Sequence, residues 1–73
     1  MLQSFNAEDF GEKVYTLRLK KGMYSEKLAT ALGVSRSTVN MWESGKRNPT
    51  LKNLYEIANF FGVRVPYLLG YEN

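Results

Sequence analysis

Residues 25–44 read SEKLATALGVSRSTVNMWES, and this stretch decides the fold. Leu28 and Leu32 lie one helical turn apart before a central glycine, so they share one face of a helix. Val39 and Trp42 follow the glycine three residues apart and share a face in the same way. The stretch therefore predicts two short amphipathic helices joined by a turn of only a few residues.

Two small residues in this stretch suit a sharp crossing of the two helices. Helices that cross at about 90–120° approach each other closely, and the side chain of Ala29 is small enough to lie between them. The chain reversal favours a left-handed backbone conformation, which Gly33 adopts without a steric cost. Residues 25–44 are therefore predicted to form a helix-turn-helix.

A longer helix is predicted before this motif. Asn6 is a good N-cap, because its side-chain oxygen accepts a hydrogen bond from a backbone N–H of the first turn. Phe5 and Phe10 have the spacing of a hydrophobic staple across that cap. Gly22 suits the end of the helix, and residues 1–5 are expected to form a short N-terminal tail.

Two more helices are predicted after the motif. Thr50 suits an N-cap and Gly62 a helix end, and Leu51 begins an apolar stripe between them. A short fifth helix is expected to begin at Pro66 and to reach Leu69. No segment alternates as a half-buried strand does. The predicted fold class is all-α, with five helices in one domain that spans the chain.

Composition excludes several classes of chemistry. The 73 residues suffice for one domain and include neither cysteine nor histidine. Thiol nucleophiles, zinc–thiolate sites and histidine triads are therefore excluded, and neither a metal nor a cofactor is expected. No apolar run approaches the roughly 18 residues that cross a bilayer, and no signal peptide is visible, so a cytoplasmic protein is expected.

Positive charge is concentrated in the middle of the chain. Residues 18–52 hold eight of the ten lysines and arginines but only two of the seven acidic residues. A basic block of this kind is the electrostatic footprint of a protein that binds a polyanion. A solvated helical face gives the same pattern, so charge alone leaves both interpretations open.

The outward face of the second motif helix carries side chains that suit the major groove of DNA. Arg36 can donate two hydrogen bonds to O6 and N7 of guanine, unless it is simply a solvated arginine of the first turn. Asn40 has the donor and acceptor that read adenine. Met41 offers an apolar contact to a thymine methyl, with partial packing as an equal alternative. The base-contacting candidates are Arg36, Ser37, Thr38, Asn40 and Met41.

Phosphate-binding groups are predicted on both sides of that helix. Lys46 and Arg47 follow its C-terminal end, where their charge and the backbone N–H groups of the loop attract phosphate. Ser25 stands at the start of the preceding helix, whose N-terminus favours an anion. Glu43 would repel phosphate, so it is expected to be structural and paired with Lys46, Arg47 or a backbone group. The phosphate-contacting candidates are Tyr24, Ser25, Ser35, Lys46, Arg47 and Asn48.

The order of these residues resembles the phage repressor and Cro-type helix-turn-helix family, also called XRE-type. The resemblance rests on LGVSRSTV at residues 32–39, WESGKRNP at residues 42–49 and YLLG at residues 67–70, and it covers about residues 10–70. It implies a lambda-repressor-like domain whose third helix enters the major groove. It also implies a transcriptional regulator, specifically a repressor.

The resemblance further implies that Arg36, Ser37 and Met41 contact bases. The family usually has Gln at the first position of the motif, preceded by Thr or Ser, whereas this chain has Tyr24 and Ser25 there. This departure weakens the expectation that Ser25 contacts phosphate, and it leaves Tyr24 as a poor N-cap that can itself donate to phosphate.

A homodimer on a palindromic duplex is the expected assembly, formed in solution or only on DNA. One short helix reads few base pairs, so two copies on half-sites about 34 Å apart are expected. The apolar C-terminal residues either form the dimer surface or close the core over the first and fourth helices. The dimer candidates are Val63, Val65, Tyr67, Leu69 and Tyr71.

The sequence leaves three other functions to compare with DNA-binding regulation. A DNA-binding antitoxin of a toxin–antitoxin pair is one, although no spare segment for holding a toxin is obvious. A helical protein-interaction module without DNA binding is another, and the retained polar and basic residues argue against it, namely Arg36, Asn40, Lys46 and Arg47. An enzyme is disfavoured, because the carboxylates are scattered and no glycine-rich phosphate loop accompanies a lysine.

Overall fold

The computed structural model describes residues 5–72, and five helices follow one another in that range without a strand. The all-α prediction is therefore confirmed there. Of the predicted tail, residues 1–4 lie outside the described residues. The helices are α1 Ala7–Lys20, α2 Ser25–Leu32, α3 Arg36–Glu43, α4 Leu51–Phe61 and α5 Val65–Leu68.

The predicted N-cap side chains accept hydrogen bonds from backbone N–H groups of the first helical turn, as expected. The side chain of Asn6 accepts a hydrogen bond from the backbone N–H of Asp9 at 2.9 Å. Ser35 and Thr50 do the same for α3 and α4. The rings of Phe5 and Phe10 lie 5.7 Å apart between centroids, which confirms the hydrophobic staple. Local capping chemistry thus sets where α1, α3 and α4 begin.

The turn between α2 and α3 has the geometry that the sequence predicts. Gly33 has a φ of +70°, in the left-handed region. The backbone N–H of Val34 donates to the carbonyl of Ala29 at 3.0 Å, so α2 ends in a Schellman-type turn. Ala29 is only 3% exposed, which is consistent with a small residue at a close helix crossing.

The core is centred on Trp42, which is 1% exposed and meets the ring of Phe10 edge-on at 6.4 Å. Leu32 and Val34 are only half-buried against this core. The prediction that Leu51 begins the apolar stripe of α4 is wrong for its burial, since Leu51 is 66% exposed. The buried residues of α4 are Leu54, Ile57 and Ala58. The buried apolar residues are Phe10, Val14, Met23, Leu28, Ala29, Val39, Trp42, Leu54, Ile57, Ala58 and Leu68.

The first and last residues of α5 each differ by one position from the prediction. Arg64 is the N-cap, so the helix begins at Val65 and Pro66 occupies its second position. It ends at Leu68, with Leu69 as the C-cap. A proline is tolerated anywhere in the first turn of a helix, because the backbone N–H groups there have no intrahelical partner.

Gly11 allows α1 to pack directly on the end of α3. A Cβ atom at this position would collide with the carbonyl oxygen of Trp42 and lie 2.9 Å from that of Glu43. Glycine in a helix interior is unfavourable by about 1 kcal/mol relative to alanine. The close approach of the two backbones explains why glycine stands here, and sequence spacing did not predict it.

Arg18 joins α1 to the same end of α3. Its Nε and Nη2 donate to the two carboxylate oxygens of Glu43 at 2.7 and 2.9 Å, and its Nη1 donates to the carbonyl of Met23 at 2.8 Å. The expected structural role of Glu43 is confirmed. Its partner in this pair is Arg18, not Lys46, Arg47 or a backbone group as predicted.

The ion pair is mostly shielded from water. The side chains of Arg18 and Glu43 are 10% and 9% exposed. Hydrogen bonding to Glu43 raises the pKa of the Arg18 guanidinium, an effect that outweighs the opposing one of burial. A raised pKa stabilises the folded protein at every pH below the ordinary pKa of arginine, which lies far above neutrality. The stabilisation is therefore constant across the neutral range.

Replacing Gly11 by Ala is expected to destabilise the protein even though alanine favours helices. The added methyl group must displace two backbone carbonyls, and overpacking of this kind costs about 1–3 kcal/mol. Urea denaturation followed by circular dichroism measures the change. Glu12→Ala, at the exposed neighbouring position of α1, is the control and should be nearly neutral. A Gly11→Ala protein as stable as the unmodified chain would contradict the close approach.

Replacing Arg18 by Met should lower the free energy of unfolding by about 3–5 kcal/mol, because the carboxylate of Glu43 stays buried without its partner. Combining Arg18→Met with Glu43→Leu should recover most of that loss. The exposed pair of Arg64 and Glu72, 3.2 Å apart, provides the control. Arg64→Met should cost less than about 1 kcal/mol. Equal losses for the two arginines would refute a special role for Arg18.

Candidate nucleic-acid interface

The face of α3 that points away from the core is open to solvent. Val39 and Trp42 are buried, whereas Arg36, Ser37 and Asn40 are exposed. Arg36, Ser37 and Asn40 are residues i, i+1 and i+4 of the helix, and residues at these positions share one face about 100° wide. Three of the five base-contacting candidates therefore lie together on a polar surface that nothing else in residues 5–72 covers.

The other two base-contacting candidates lie at the edges of that face. Thr38 and Met41 are both half-buried. The hydroxyl oxygens of Thr38 and Ser35 are 2.9 Å apart, and that of Ser35 also accepts the backbone N–H of Thr38 at 3.0 Å. Ser35 is thus the N-cap of α3 and remains exposed beside the base-contacting candidates.

The loop after α3 folds back along the helix. Gly45 has a φ of +76°, and the backbone N–H of Lys46 donates to the carbonyl of Met41 at 2.9 Å. The backbone N–H of Arg47 donates to the same carbonyl at 3.3 Å. The Nη1 of Arg47 then reaches the hydroxyl of Thr38 at 3.4 Å. The loop cations therefore lie beside α3. The contact between Arg47 and Thr38 was not predicted, because no spacing pattern in the sequence indicates it.

The N-terminus of α2 lacks the side-chain capping bond that α1, α3 and α4 have. Tyr24 stands at its N-cap position but makes no side-chain capping bond, and its side chain is 84% exposed. This confirms that Tyr24 is a poor N-cap. Ser25, the first residue of α2, is half-buried. The backbone N–H groups of Ser25 and Glu26 receive no side-chain acceptor from Tyr24, whereas that of Lys27 donates to the Tyr24 carbonyl at 3.1 Å.

Some cations of the basic block, residues 18–52, bind within the protein, whereas others are exposed and outside the ion pairs found. The ion pairs found among residues 5–72 involve none of Arg36, Lys46 and Arg47, and all three are exposed. Arg18 is committed to Glu43, and Lys21 lies over the ring of Phe60 at 5.5 Å, against α4. Arg36, Lys46 and Arg47 are therefore available to an external polyanion around α3. Lys20, Lys27 and Lys52 on the other helices are exposed and outside these ion pairs as well.

The predicted dimer surface also packs within the monomer. Val63, Val65 and Leu69 are half-buried against the core, and Lys13 lies over the ring of Tyr67 at 5.4 Å. Tyr71 is 52% exposed, and its backbone N–H donates to the carbonyl of Pro66 at 2.8 Å. These residues close the core and still retain exposed area, so both interpretations from the sequence remain compatible with their burial.

No helix in residues 5–72 is long and apolar enough to cross a membrane. No group of three or more Cys, His, Asp or Glu side chains in that range has an arrangement that could hold a metal ion. The exposed face of α3 and its flanking cations form the candidate functional site.

Several known proteins are similar to this chain in sequence. A family model described as helix-turn-helix matches residues 14–68. The HTH-type transcriptional activator BcrR of Enterococcus faecalis is 42% identical over 64 residues, which are 88% of this chain and 31% of that protein. An HTH-type transcriptional regulator of Methanocaldococcus jannaschii is 41% identical over 61 residues, which are 84% of this chain and 92% of that protein.

A solved structure has a similar fold as well. The P22 c2 repressor, crystallised with a synthetic operator, matches with a TM-score of 0.81 and 25% identity over 86% of this chain and 96% of that one. The chain spans less than a third of the Enterococcus activator, at 31%, but nearly all of the Methanocaldococcus regulator, at 92%. The family match and the crossing of α2 and α3 lead to one conclusion: the chain belongs to the XRE-type helix-turn-helix family of transcriptional regulators.

Proposed function

We propose that the protein binds duplex DNA sequence-specifically, with α3 in the major groove, and represses transcription. The observation that carries this proposal is the position of the loop cations beside the exposed polar face of α3. Bases are read by hydrogen bonds in the groove, whereas phosphates on its edges fix the register of the protein. The α3 face and its loop offer both kinds of group at one surface.

The proposed base readers are side chains on the outward face of α3. Arg36 reaches guanine through two donors, and Asn40 reads adenine through its amide. Ser37 lies beside Arg36 and can serve either a base edge or a phosphate. Met41 contributes an apolar contact from the half-buried edge of the face.

The proposed phosphate contacts flank that face. Lys46, Arg47 and Asn48 are exposed in the loop that follows α3. At the other motif helix, the hydroxyl of Tyr24 and the first turn at Ser25 can donate to a phosphate, as helix N-termini do in other anion sites. Ser35 completes the proposed set.

Two copies are proposed to bind a palindromic operator. The eight residues of α3 make a helix about 12 Å long, which covers only a few base pairs of one groove. Half-sites about 34 Å apart place two such helices on the same side of the duplex. The exposed areas of the C-terminal residues support a second copy there, and the proposed dimer residues are Val63, Val65, Tyr67, Leu69 and Tyr71.

Repression is proposed because occupancy of an operator blocks other proteins without any further contact. The P22 c2 protein, which shares the fold, is named a repressor. The Enterococcus relative is named an activator and is much longer than this chain, which covers 31% of it. A protein that binds an operator acts in the compartment that holds the DNA, so the proposed location is the cytoplasm.

Selection of bound duplexes from a random pool tests the proposed function. The expected result is a strongly enriched site with two inverted halves about one helical turn apart, because two α3 helices related by a two-fold axis read inverted sequences. A single unpaired half-site would refute the dimer on DNA but keep base reading. A pool without any enrichment would refute sequence-specific binding.

The salt dependence of binding to the selected duplex is the control for electrostatics. Each neutralised phosphate is expected to contribute a slope of about −0.9 to log K against log salt concentration. Lys46→Ala should make that slope shallower by about one such contribution per protomer. Binding that is insensitive to salt would exclude phosphate contacts by the loop.

A further inference from the structure

Arg47 makes two hydrogen bonds to α3, one from its backbone and one from its side chain. Its backbone N–H donates to the carbonyl of Met41 at 3.3 Å, and its Nη1 donates to the hydroxyl oxygen of Thr38 at 3.4 Å. Thr38 and Met41 are three residues apart, so the arginine side chain extends along about one turn of the helix. Arg47 therefore lies along the flank of α3, although it belongs to the loop that follows.

The hydroxyl of Thr38 is largely committed within the protein. A threonine hydroxyl has one donor and two acceptor lone pairs. It accepts from Arg47, and its oxygen is 2.9 Å from that of Ser35. Either hydroxyl can donate to the other across that contact. In both cases one of the three hydrogen-bonding positions of the Thr38 hydroxyl remains unused, on a half-buried side chain.

Arg47 by contrast keeps most of its binding capacity. A guanidinium has five N–H donors, and the bond to Thr38 uses one of them. The ion pairs found among residues 5–72 do not include Arg47, which is exposed. An arginine that is already held in place loses less rotamer freedom when it binds a phosphate than a free one does.

We propose that Thr38 is a positioning residue for Arg47 and not a base reader. Its hydroxyl holds the guanidinium against the flank of α3, from where the remaining donors meet a phosphate at the edge of the groove. This assignment rests on the proposed DNA binding, and it replaces the sequence-based expectation that Thr38 contacts a base.

The test measures affinity for the selected duplex and for its single-base variants. Thr38→Val keeps the shape of the side chain but removes the hydroxyl, and it should weaken binding to every duplex by the same factor, about three- to tenfold. Thr38→Ser keeps the hydroxyl and should bind normally. Arg36→Ala, a proposed base reader, should instead lose discrimination at one position per half-site. Base-selective loss in Thr38→Val would overturn the assignment.

A double-mutant cycle tests whether Thr38 acts through Arg47. Removing the hydroxyl should have no further effect once the guanidinium is gone, so Thr38→Val combined with Arg47→Ala should bind like Arg47→Ala alone. Additive losses would overturn the proposal. Thr30→Val is the matched control, because the Thr30 hydroxyl donates to the carbonyl of Glu26 on the exposed side of α2. The Thr30→Val protein should bind DNA like the unmodified protein.

A measurement without DNA separates this inference from the proposed function. Nitrogen-15 NMR of the free protein should show restricted rotation of the Arg47 guanidinium, which Thr38→Val releases and Thr38→Ser retains. An unmodified protein with this restriction that binds no duplex would refute DNA binding and, with it, the role of Thr38 there. A protein that binds DNA but has a freely rotating Arg47 guanidinium in both forms would overturn the positioning role alone.

Discussion

The contact between α1 and the C-terminal end of α3 is the constraint on which the rest of the site depends. Gly11 brings the backbone of α1 against the last carbonyls of α3, and Arg18 fastens the same end through Glu43. Arg18 also holds the carbonyl of Met23, just before α2. One guanidinium therefore connects α1 to both sides of the helix-turn-helix, while α2 and α3 fix each other through their own crossing.

This constraint determines which surface reaches the solvent. With Val39 and Trp42 held in the core, the opposite face of α3 carries Arg36, Ser37 and Asn40 outward. The buried carboxylate of Glu43 is neutralised by its partner, so it does not repel a polyanion from the basic surface. A rigid support of this kind lowers the conformational cost of binding, because the reading helix is already in place before DNA arrives.

Much of the fold follows from local signals, and these were predicted from the sequence. The caps at Asn6, Ser35 and Thr50 and the left-handed turn at Gly33 depend on residues within a few positions of one another. The exposed face of α3 also follows from helical spacing, once Trp42 is assigned to the core.

The missed features depend on residues that are distant in sequence or lie in loops. Arg18 and Glu43 are 25 positions apart, so neither spacing nor charge indicated that they pair. An unexplained glycine inside a helix was the available signal for Gly11. Periodicity places Leu51 in the apolar stripe of α4, yet a residue in the first turn of a helix can point past the core edge, and Leu51 is exposed.

The central claim is that α3, held by α1, presents its polar edge and adjoining loop to duplex DNA. Backbone amide chemical shifts of the full chain, followed while duplex DNA is added, test it most directly. The account predicts that the changes concentrate in residues 36–41 and 46–48, with smaller ones at residues 24–25. Changes confined to the outer surfaces of α1 and α4, with residues 36–41 unaffected, would contradict it.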